Sequence, residues 1–439
     1  MVKNLFEPKS VALIGASRFK GKVGNAVARN LLNFKGKTFF VNPKAKKIFG
    51  RKCYASVLDI PGKLDLAVIA IKSEIVSAVL EECGKKKVKA AVVITAGFSE
   101  IGNMEAEQQL IETAKKHGIR LLGPNCLGTI NPYIDLNTTF ISIPVERGNI
   151  AFVSQSGALC SAALDIALQE QIGFSFFASV GNMVDIDFAE LIEMLNKDEK
   201  TKAIILYIEA LKPESGKKFI EVARSSSKPV IVIKAGISAA GAEAALTHTG
   251  SIATSYEVYK AAFRDAGIFE AKSLTNALDV AKFLTQNKKP SSIVVLSNAG
   301  GPAVLAADYC DQEKLKLAKL PQNVIDALNK ALPATWSHHN PIDIVGDANA
   351  ARYAAALNQL QGKWYDCLLC ILTPQEMSQP LETAHVLVDF ARKTKKTVIA
   401  AFLGGKRVSK ASALLNQHNI LCFPELKRVV DVLAVASQK

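Results

Sequence analysis

Residues 10–26 read SVALIGASRFKGKVGNA, and this stretch indicates the fold class of the chain. Its apolar beginning predicts a buried strand, its glycine-containing middle predicts a turn, and its end predicts a helix. The same order returns with shorter turns at 149–164, NIAFVSQSGALCSAAL, and at 293–308, IVVLSNAGGPAVLAAD. Repetition of strand, turn and helix is typical of βαβ units built around parallel sheets.

The chain has 439 residues, which predicts three domains at about 150 residues each. Strand and helix patterns alternate over residues 1–130 and, after a strand-poor stretch, again over 145–288. A short lysine-rich sequence precedes a third series at 291–439. The expected architecture is therefore α/β, with a Rossmann-like first domain followed by two further α/β domains.

The composition is that of a globular protein, because 49% of the residues are hydrophobic and 21% are charged. No apolar run reaches the roughly 18 residues that a membrane span needs, and Glu7 and Lys9 interrupt the N-terminal apolar stretch where a signal peptide would have its core. Eight scattered cysteines, most of them in apolar segments, are typical of reduced core residues. We expect a cytoplasmic protein with no membrane partner.

The net charge is +14, and most of it lies in the first part of the chain. The first 140 residues hold 22 Lys and Arg against 11 Asp and Glu, which is a surplus of +11. This charge either serves a polyanionic ligand or solvates exposed helices, as expected for the lysine run 85–87. No arginine-rich or aromatic-interleaved motif accompanies it, so a nucleic-acid partner is not expected.

The turn from Gly15 to Gly24 lies where a nucleotide-phosphate loop should lie, although its glycine spacing is not the strict G-x-G-x-x-G. A nicotinamide-cofactor domain normally ends its second strand with Asp or Glu, which binds the ribose hydroxyls. The corresponding strand here ends in Asn42-Pro43-Lys44. A lysine at this place favours a ribose that bears a phosphate, as in NADP or coenzyme A.

Two residues of the second domain are candidates for catalysis. His248 lies in a small-residue loop, Ala245 to Ser251, and is either a solvated histidine or a nucleophile. Glu209 ends the apolar strand AIILYIEA and is either a surface residue or a carboxylate that orients an imidazole. No paired-His or Cys/His spacing predicts a metal site.

Seven motifs in order carry a resemblance to a known family: GASRFKGKVGNA, VNPK, VVITAGFSE, LLGPNCLG, VSQSGAL, IEA and LTHTGS. Together they resemble the α subunit of nucleoside-diphosphate-forming acyl-CoA synthetases, the ADP-forming acetyl-CoA synthetases or acetate–CoA ligases. The similarity to the succinyl-CoA synthetase α subunit is more distant. The third domain matches the same family through SNAGGPAVLAAD and HNPIDIVGDA.

The resemblance implies a coenzyme A-binding first domain and two flavodoxin-like ligase domains. The coenzyme A contacts that it implies are Ser17, Arg18, Phe19, Lys20, Lys44, Ile94, Thr95 and Ala96. It implies that His248 becomes phosphorylated, that Glu209 positions it, and that Ser156 and Gly157 hold phosphate at a helix start. Ser161 occupies the place of a substrate-contacting tyrosine in succinyl-CoA synthetases, which argues against succinate as the acid.

The resemblance also implies a hetero-oligomer, because the reaction requires an ATP-grasp module. We expect a separate β subunit that binds Mg-ADP or Mg-ATP. The expected substrates are a small carboxylic acid or its acyl-CoA, with acetyl-CoA as the favoured thioester. Two alternatives stay open at this point: a non-catalytic coenzyme A-binding regulatory protein, and an NADP-linked oxidoreductase. Within residues 1–130, which contain the Gly15 to Gly24 turn, no Tyr-x-x-x-Lys pair supports the second alternative.

Overall fold

The chain folds into two compact units, which comprise residues 1–285 and 286–439. The structure is a computed structural model, and the residues that it describes are 3–212, 214–243, 255–286 and 290–437. Unit 1 contains two seven-stranded sheets and unit 2 contains one five-stranded sheet. Most strand pairs are parallel and helices separate them along the chain, which confirms the expected α/β fold class.

The first sheet is built from the N-terminal part of the chain. Its strands are β1 (Ser10–Ile14), β2 (Lys37–Val41), β3 (Lys47–Ile48), β4 (Arg51–Tyr54), β5 (Leu66–Ile69), β6 (Ala90–Val93) and β7 (Arg120–Leu122). The helices of this region are α1 (Lys3–Phe6), α2 (Val23–Asn30), α3 (Val76–Lys85) and α4 (Met104–His117). The strand order is β3-β4-β2-β1-β5-β6-β7, so the chain reverses its direction of growth between β1 and β5. This is the switch point at which an open parallel sheet binds ligands.

Strand β1 is buried on both faces, as its uninterrupted apolar sequence predicts. Val11 and Leu13 pack into one core, whereas Ala12 and Ile14 pack into the core on the opposite face. The central position of β1 between β2 and β5 follows from this burial. It places the end of the strand, and therefore Gly15, in the middle of the sheet edge.

The second sheet has five strands that pair in parallel and two more that join one edge through antiparallel pairings. Its strands are β8 (Thr129–Asn131), β9 (Leu136–Asn137), β10 (Arg147–Ser154), β11 (Phe174–Ser179), β12 (Ala203–Ile208), β13 (Val230–Lys234) and β14 (Phe269–Glu270). Its helices are α5 (Gly157–Gln169), α6 (Phe188–Lys197), α7 (Gly216–Ser225), α8 (Tyr256–Ala266) and α9 (Leu274–Leu284). The order β14-β13-β12-β10-β11 is that of a flavodoxin-like sheet, with its switch point between β10 and β12.

The two short strands that follow the first sheet in sequence belong to the second sheet. Strand β8 pairs antiparallel with β11, and β9 extends that edge, although both follow the first sheet in sequence. The expected domain boundary at residue 130 therefore falls inside β8. Arg120 at the start of β7 adds an ion-pair cluster, because its guanidinium lies 2.9 Å from an oxygen of Asp185 and 2.6 Å from an oxygen of Glu190.

Unit 2 is a second flavodoxin-like sheet with helices. Its strands are β15 (Ile293–Ser297), β16 (Ile342–Asp343), β17 (Cys367–Leu372), β18 (Thr397–Phe402) and β19 (Cys422–Phe423). Its helices are α10 (Gly300–Gln312), α11 (Gln322–Ala331), α12 (Ala350–Gln359), α13 (Pro380–Lys393), α14 (Ser409–Gln417) and α15 (Leu426–Ala436). The order β16-β15-β17-β18-β19 repeats the order of the second sheet. Within the described ranges, no helix combines the length and the apolar character that crossing a membrane requires.

Candidate functional site

A cleft of about 1140 Å³ lies in unit 1, at the carboxyl ends of strands from both of its sheets. The turns after β1, β5, β6 and β10 line it, together with the first turns of α2 and α5. Eight of the residues singled out from the sequence line this cleft: Ser17, Phe19, Ile94, Thr95, Ala96, Ser156, Gly157 and Ser161. The structure therefore brings the candidate coenzyme A loops and the candidate phosphate site together.

The glycine-containing turn after β1 is packed too closely for side chains at two positions. Gly15 has a φ of +91°, and a Cβ built on it would lie 2.1 Å from the carbonyl oxygen of Ala70. A Cβ on Gly24 would lie 1.9 Å from the carbonyl oxygen of Gly15. These glycines let the turn, the start of α2 and the loop after β5 approach one another at the switch point.

Hydrogen bonds fix the turn against the end of β2. The Ser17 hydroxyl accepts from the Phe19 N–H at 3.1 Å. The Asn42 amide donates to the carbonyl oxygen of Ala16 at 2.7 Å. Asn42 thus occupies the place where a nicotinamide-cofactor domain carries an acid, and it holds the backbone of the turn instead.

The candidate basic residues lie outside the cleft, and two other lysines line it. Arg18, Lys20 and Lys44 are exposed and do not line the cleft. Lys22 and Lys72, which the sequence reasoning did not single out, do line it. A signal for Lys72 was present, because it follows the apolar strand β5 in the same way that Lys44 follows β2.

Thr95 has a structural role that its sequence motif does not reveal. Its hydroxyl donates to the carbonyl oxygen of Ile71 at 2.8 Å and accepts from the N–H of Ile71 at 3.2 Å. The loops after β5 and β6 are joined by this pair of hydrogen bonds. Ile94 and Ala96 beside it line the cleft without such a contact to Ile71.

Helix α5 begins at the cleft. The Ser154 hydroxyl donates to the carbonyl oxygen of Ser156 at 2.9 Å and accepts from the N–H of Ser156 at 3.0 Å. The Ser156 hydroxyl caps the helix by accepting from the N–H of Leu159 at 3.3 Å. Gly157 and Ala158, whose N–H groups belong to the first turn of the helix, line the cleft, so an anion there meets the positive end of the helix dipole.

Glu209 follows β12 directly, and its backbone is bonded to a residue of the cleft. The side-chain oxygen of Gln155 accepts from the N–H of Glu209 at 2.6 Å and from the N–H of Ala210 at 3.1 Å. Gln155 also donates to the carbonyl oxygen of Ala210 at 2.9 Å. These bonds cross the switch point of the second sheet, and they connect Glu209 to the cleft although Glu209 does not line it.

Two polar side chains lie near Glu209: Tyr207, which is half-buried, and Lys234, which is buried. Burial, the charge of Glu209 and a hydrogen bond to its carboxylate raise the pKa of Tyr207 to about 12, so the Tyr207 hydroxyl is a donor at neutral pH. Burial lowers the pKa of Lys234, and the charges of Glu209 and Glu270 oppose that effect. The Lys234 ammonium donates to the carbonyl oxygen of Glu209 at 2.8 Å and lies 4.6 Å from the centre of the Tyr259 ring.

The cleft contains one thiol, and this thiol is not set up as a nucleophile. Burial raises the pKa of Cys126 to about 12. Its Sγ donates to the carbonyl oxygen of Val93 at 3.3 Å. A thiol with this pKa stays protonated at neutral pH, so Cys126 is a packing residue.

His248 lies outside the described residues, so the structure does not test its position relative to Glu209. Among the residues that are described, no group of three or more His, Cys, Asp and Glu side chains is arranged to hold a metal ion.

Comparison with known proteins gives three domain matches in the order of the three sheets. A coenzyme A-binding domain model matches residues 9–132, and a succinyl-CoA ligase-like flavodoxin domain model matches residues 147–284. A ligase-CoA domain model matches residues 293–438.

Individual relatives match over nearly the whole chain. The ADP-forming acetate–CoA ligase I of Archaeoglobus fulgidus is 43% identical over 99% of this chain, but the chain spans only 63% of that protein. The α subunit of ADP-forming acetate–CoA ligase II of Pyrococcus furiosus is 41% identical over 99% of this chain and 96% of its own length. The acetyl-coenzyme A synthetase 1 of Candidatus Korarchaeum cryptofilum, solved with phosphate and ADP, superimposes with a TM-score of 0.94 at 39% identity, covering all of this chain and 96% of its own. The chain therefore belongs to the ADP-forming acetate–CoA ligase family and matches its α subunit.

Proposed function

We propose that the chain catalyses the acyl-transfer half of an ADP-forming acyl-CoA synthetase reaction. The observation that carries this proposal is the cleft of unit 1, because one space is lined both by the loops of the coenzyme A-binding domain and by the start of α5. A thioester and a phosphate bound there would be neighbours. The whole reaction interconverts acyl-CoA, phosphate and ADP with the free acid, coenzyme A and ATP.

In the first step, a phosphate oxygen attacks the thioester carbonyl of the acyl-CoA. The carbon–sulfur bond breaks, coenzyme A leaves as the thiol, and acyl phosphate forms. The N–H groups at the start of α5 would stabilise the phosphate, since the dipole of a helix N-terminus favours negative charge. Lys22 and Lys72, which line the cleft, would pair with phosphate groups of coenzyme A.

In the second step, His248 attacks the phosphorus of acyl phosphate and releases the free carboxylate. Neutral imidazole suits this step, because its unperturbed pKa of about 6.5 leaves most of it uncharged near pH 7. Glu209 would accept a hydrogen bond from the other ring nitrogen and so orient the ring. The bonds from Gln155 and Lys234 to the backbone of Glu209 support that role, since they fix the end of its strand.

The phosphoryl group would then pass to ADP on a partner. We propose an ATP-grasp β subunit with Mg²⁺ for this step, in a hetero-oligomer. The relative from Pyrococcus furiosus is itself described as an α subunit. Acetyl-CoA is our first choice of thioester, and Ser161 at the cleft supports a small acid.

Phosphate labelling tests the proposed function. Acetyl phosphate should label the chain with an acid-labile, base-stable phosphate, as expected for phosphohistidine. His248→Asn should abolish the label, and Glu209→Gln should slow labelling without weakening coenzyme A binding. His385→Asn is the matched control, because His385 is exposed on α13 in unit 2, and it should label like the parent.

A label that persists in His248→Asn would contradict the mechanism. Coenzyme A binding without any label or phosphate-dependent turnover would instead indicate the regulatory protein. Tighter binding of NADP than of coenzyme A would indicate the oxidoreductase.

The lysines provide a separate test of the coenzyme A site. Lys72→Ala should weaken coenzyme A binding by about 1–3 kcal/mol, the scale of a charge-assisted hydrogen bond. The same titration of Lys44→Ala tests whether Lys44, which follows the second strand, also contacts a phosphate of coenzyme A. Lys85→Ala is the control, because Lys85 is exposed on α3 and does not line the cleft. Equal effects of Lys72→Ala and Lys85→Ala would contradict the assignment of the cleft.

A further inference from the structure

Asn125 is a half-buried residue that lines the cleft between the loops of the first sheet and the start of α5. Its N–H donates to the carbonyl oxygen of Thr95 at 2.9 Å, so its backbone is bonded to a candidate coenzyme A loop. Two residues further on, Leu127 lies 3.7 Å from the position that a Cβ on Gly157 would occupy. Asn125 is thus connected to both walls of the cleft.

The loop that carries Asn125 packs closely against the loop that follows β11. A Cβ built on Gly181 would lie 2.1 Å from the carbonyl oxygen of Pro124. The N–H of Asn182 donates to the same carbonyl oxygen at 3.0 Å. Nδ2 of Asn125 donates to Oδ1 of Asn182 at 3.3 Å. The two asparagine side chains therefore meet on fixed backbones.

Two glutamates determine which end of the Asn182 side chain faces Asn125. Nδ2 of Asn182 donates to Glu100 at 2.7 Å and to Glu107 at 2.9 Å. Burial acts against ionisation of Glu100, but hydrogen bonds from Asn182 and from the N–H of Gly97 outweigh it and lower the pKa of this carboxyl group. An ionised carboxylate only accepts hydrogen bonds, so the NH₂ end of Asn182 faces the glutamates and its oxygen faces Asn125.

The orientation of Asn182 fixes that of Asn125 in turn. Because Asn182 presents an oxygen, Asn125 must present its own NH₂ group there, which leaves Oδ1 of Asn125 directed elsewhere. Within the described ranges this oxygen accepts no hydrogen bond, and it is not among the buried unpaired atoms, so it has accessible surface. The cleft therefore contains a hydrogen-bond acceptor at Asn125 and not a donor.

We infer that Oδ1 of Asn125 accepts a hydrogen bond from an amide N–H of the pantetheine arm of coenzyme A. The inference rests on the proposed function, which puts the phosphates of coenzyme A at the lysines and its thioester at the start of α5. The pantetheine arm connects these two ends. Its donors are one hydroxyl near the pyrophosphate and two amide N–H groups nearer the thiol, and the amides match a residue connected to the start of α5.

This assignment gives the two asparagines different roles. Asn125 binds the arm and, as an acceptor, repels the oxygens of phosphate, so it helps to keep the two substrates in separate parts of the cleft. Asn182 does not line the cleft and is a positioning residue. It keeps the oxygen of Asn125, and not its NH₂ group, available to the ligand.

Calorimetric titration of the full chain tests the role of Asn125. The ligands are coenzyme A and adenosine 3′,5′-bisphosphate, which lacks the pantetheine arm. Asn125→Gly removes the side chain, and glycine tolerates the φ of +54° at this position. It should weaken coenzyme A binding about tenfold, the effect of one hydrogen bond, and leave bisphosphate binding unchanged. Asn323→Ala is the matched control, because Asn323 is exposed on α11 in unit 2, and it should bind both ligands like the parent.

Asn182→Ala tests the positioning role in the same titrations. Without Asn182, either end of the Asn125 amide can face the ligand, so coenzyme A binding should weaken only about twofold, the factor for a half-populated competent state. Bisphosphate binding should again equal that of the parent. The double variant Asn125→Gly/Asn182→Ala should bind coenzyme A no more weakly than Asn125→Gly alone, because Asn182 acts through Asn125.

Unchanged affinity for coenzyme A in Asn125→Gly would overturn the inference, and so would an equal loss of affinity for the bisphosphate. A further loss in the double variant would overturn the positioning role of Asn182. These titrations involve no turnover. If they give the expected results and the parent still takes no phosphate label, the proposed mechanism fails while the assignment of Asn125 holds.

Discussion

Two strand-to-helix turns, one in each unit, have the same internal hydrogen bonds. The Ser154 hydroxyl is bonded to both the N–H and the carbonyl oxygen of Ser156, and the Ser297 hydroxyl is bonded in the same way to Ala299. The residues that directly follow these two serines also correspond to each other. Gln155 and Asn298 each use a side-chain amide to bind backbone groups across the switch point of their sheet.

The two turns differ in the groups that meet the helix start. Ser156 caps α5, whereas Ala299 precedes α10 without a side-chain cap. The neutral hydroxyl of Ser179, which has no partner within the described residues, lies beside Gly157, whereas the carboxylate of Asp343 lies beside Gly300. The same turn is therefore supplied with an internal anion in unit 2, whereas a neutral hydroxyl occupies that place in unit 1. A strand-turn-helix pattern in the sequence therefore locates a helix start, and the neighbouring strand decides which groups meet that helix start.

The largest effect on stability is expected from removing the internal anion. Asp343→Ser should destabilise unit 2 by about 2–3 kcal/mol, because the carboxylate accepts from the N–H of Val345 at 2.9 Å and faces the N-terminus of α10. Hydrogen exchange of the amides in 300–312 measures the loss. Unchanged protection of α10 would contradict the role given to Asp343 in the comparison.

Changing the cap residue of each helix should have a smaller effect on the free energy of unfolding, with opposite signs in the two units. Ser156→Ala should cost about 1 kcal/mol, since it removes the acceptor for the Leu159 N–H. Ala299→Ser should add up to about 1 kcal/mol in unit 2, because Ala299 already has the extended conformation of a cap residue. Urea unfolding measures both free energies. A loss of stability in Ala299→Ser would show that the two turns are not equivalent.

The two glycines should respond differently to alanine. Gly157→Ala should raise stability by a few tenths of a kcal/mol, because its Cβ meets no atom closer than 3.7 Å. Gly300→Ala should give no such gain, because its Cβ would lie 3.0 Å from the Asp343 carboxylate. Thermal unfolding compares the pair. A gain in stability in Gly300→Ala as large as that in Gly157→Ala would contradict this difference between the two turns.

The smallest effect is expected in how the free energy of unfolding changes as the pH falls. Burial acts against ionisation of Asp366, but hydrogen bonds from Ser291 and Ser292 outweigh it and lower the pKa of this carboxyl group. A lowered folded-state pKa means that the carboxylate stabilises the fold above about pH 4 and that this contribution is lost as the pH falls through the folded-state pKa. Asp366→Asn should therefore be less stable than the parent at pH 7, and the difference should shrink at pH 3. Urea unfolding at both pH values checks this, and a constant difference would contradict it.

The sequence predicted the fold well because the strands that decide it are short, apolar and buried on both faces. Strands β1, β10 and β15 and the helices after them were recognisable from local pattern alone. The short strand β8 was not, since it consists of Thr129–Asn131 and its pairing with β11 depends on a contact far along the chain. Local pattern carries no information about such a pairing.

The candidate site was predicted in part, for a related reason. Ser156 and Gly157 were found because a helix start is visible in sequence, and both line the cleft. Lys22 and Lys72 were missed because a sequence shows which turns carry lysine and does not show which side chains reach a cleft.

The entry of β8 and β9 into the second sheet also affects how a ligand binds. The two walls of the cleft belong to one folded unit, in which β8 and β9, which follow the first sheet in sequence, pair into the sheet that carries α5. The conformational entropy of bringing these walls together is therefore lost during folding and not during ligand binding. Coenzyme A should consequently meet a preorganised surface at these turns, and its association should be a single fast phase that depends linearly on concentration.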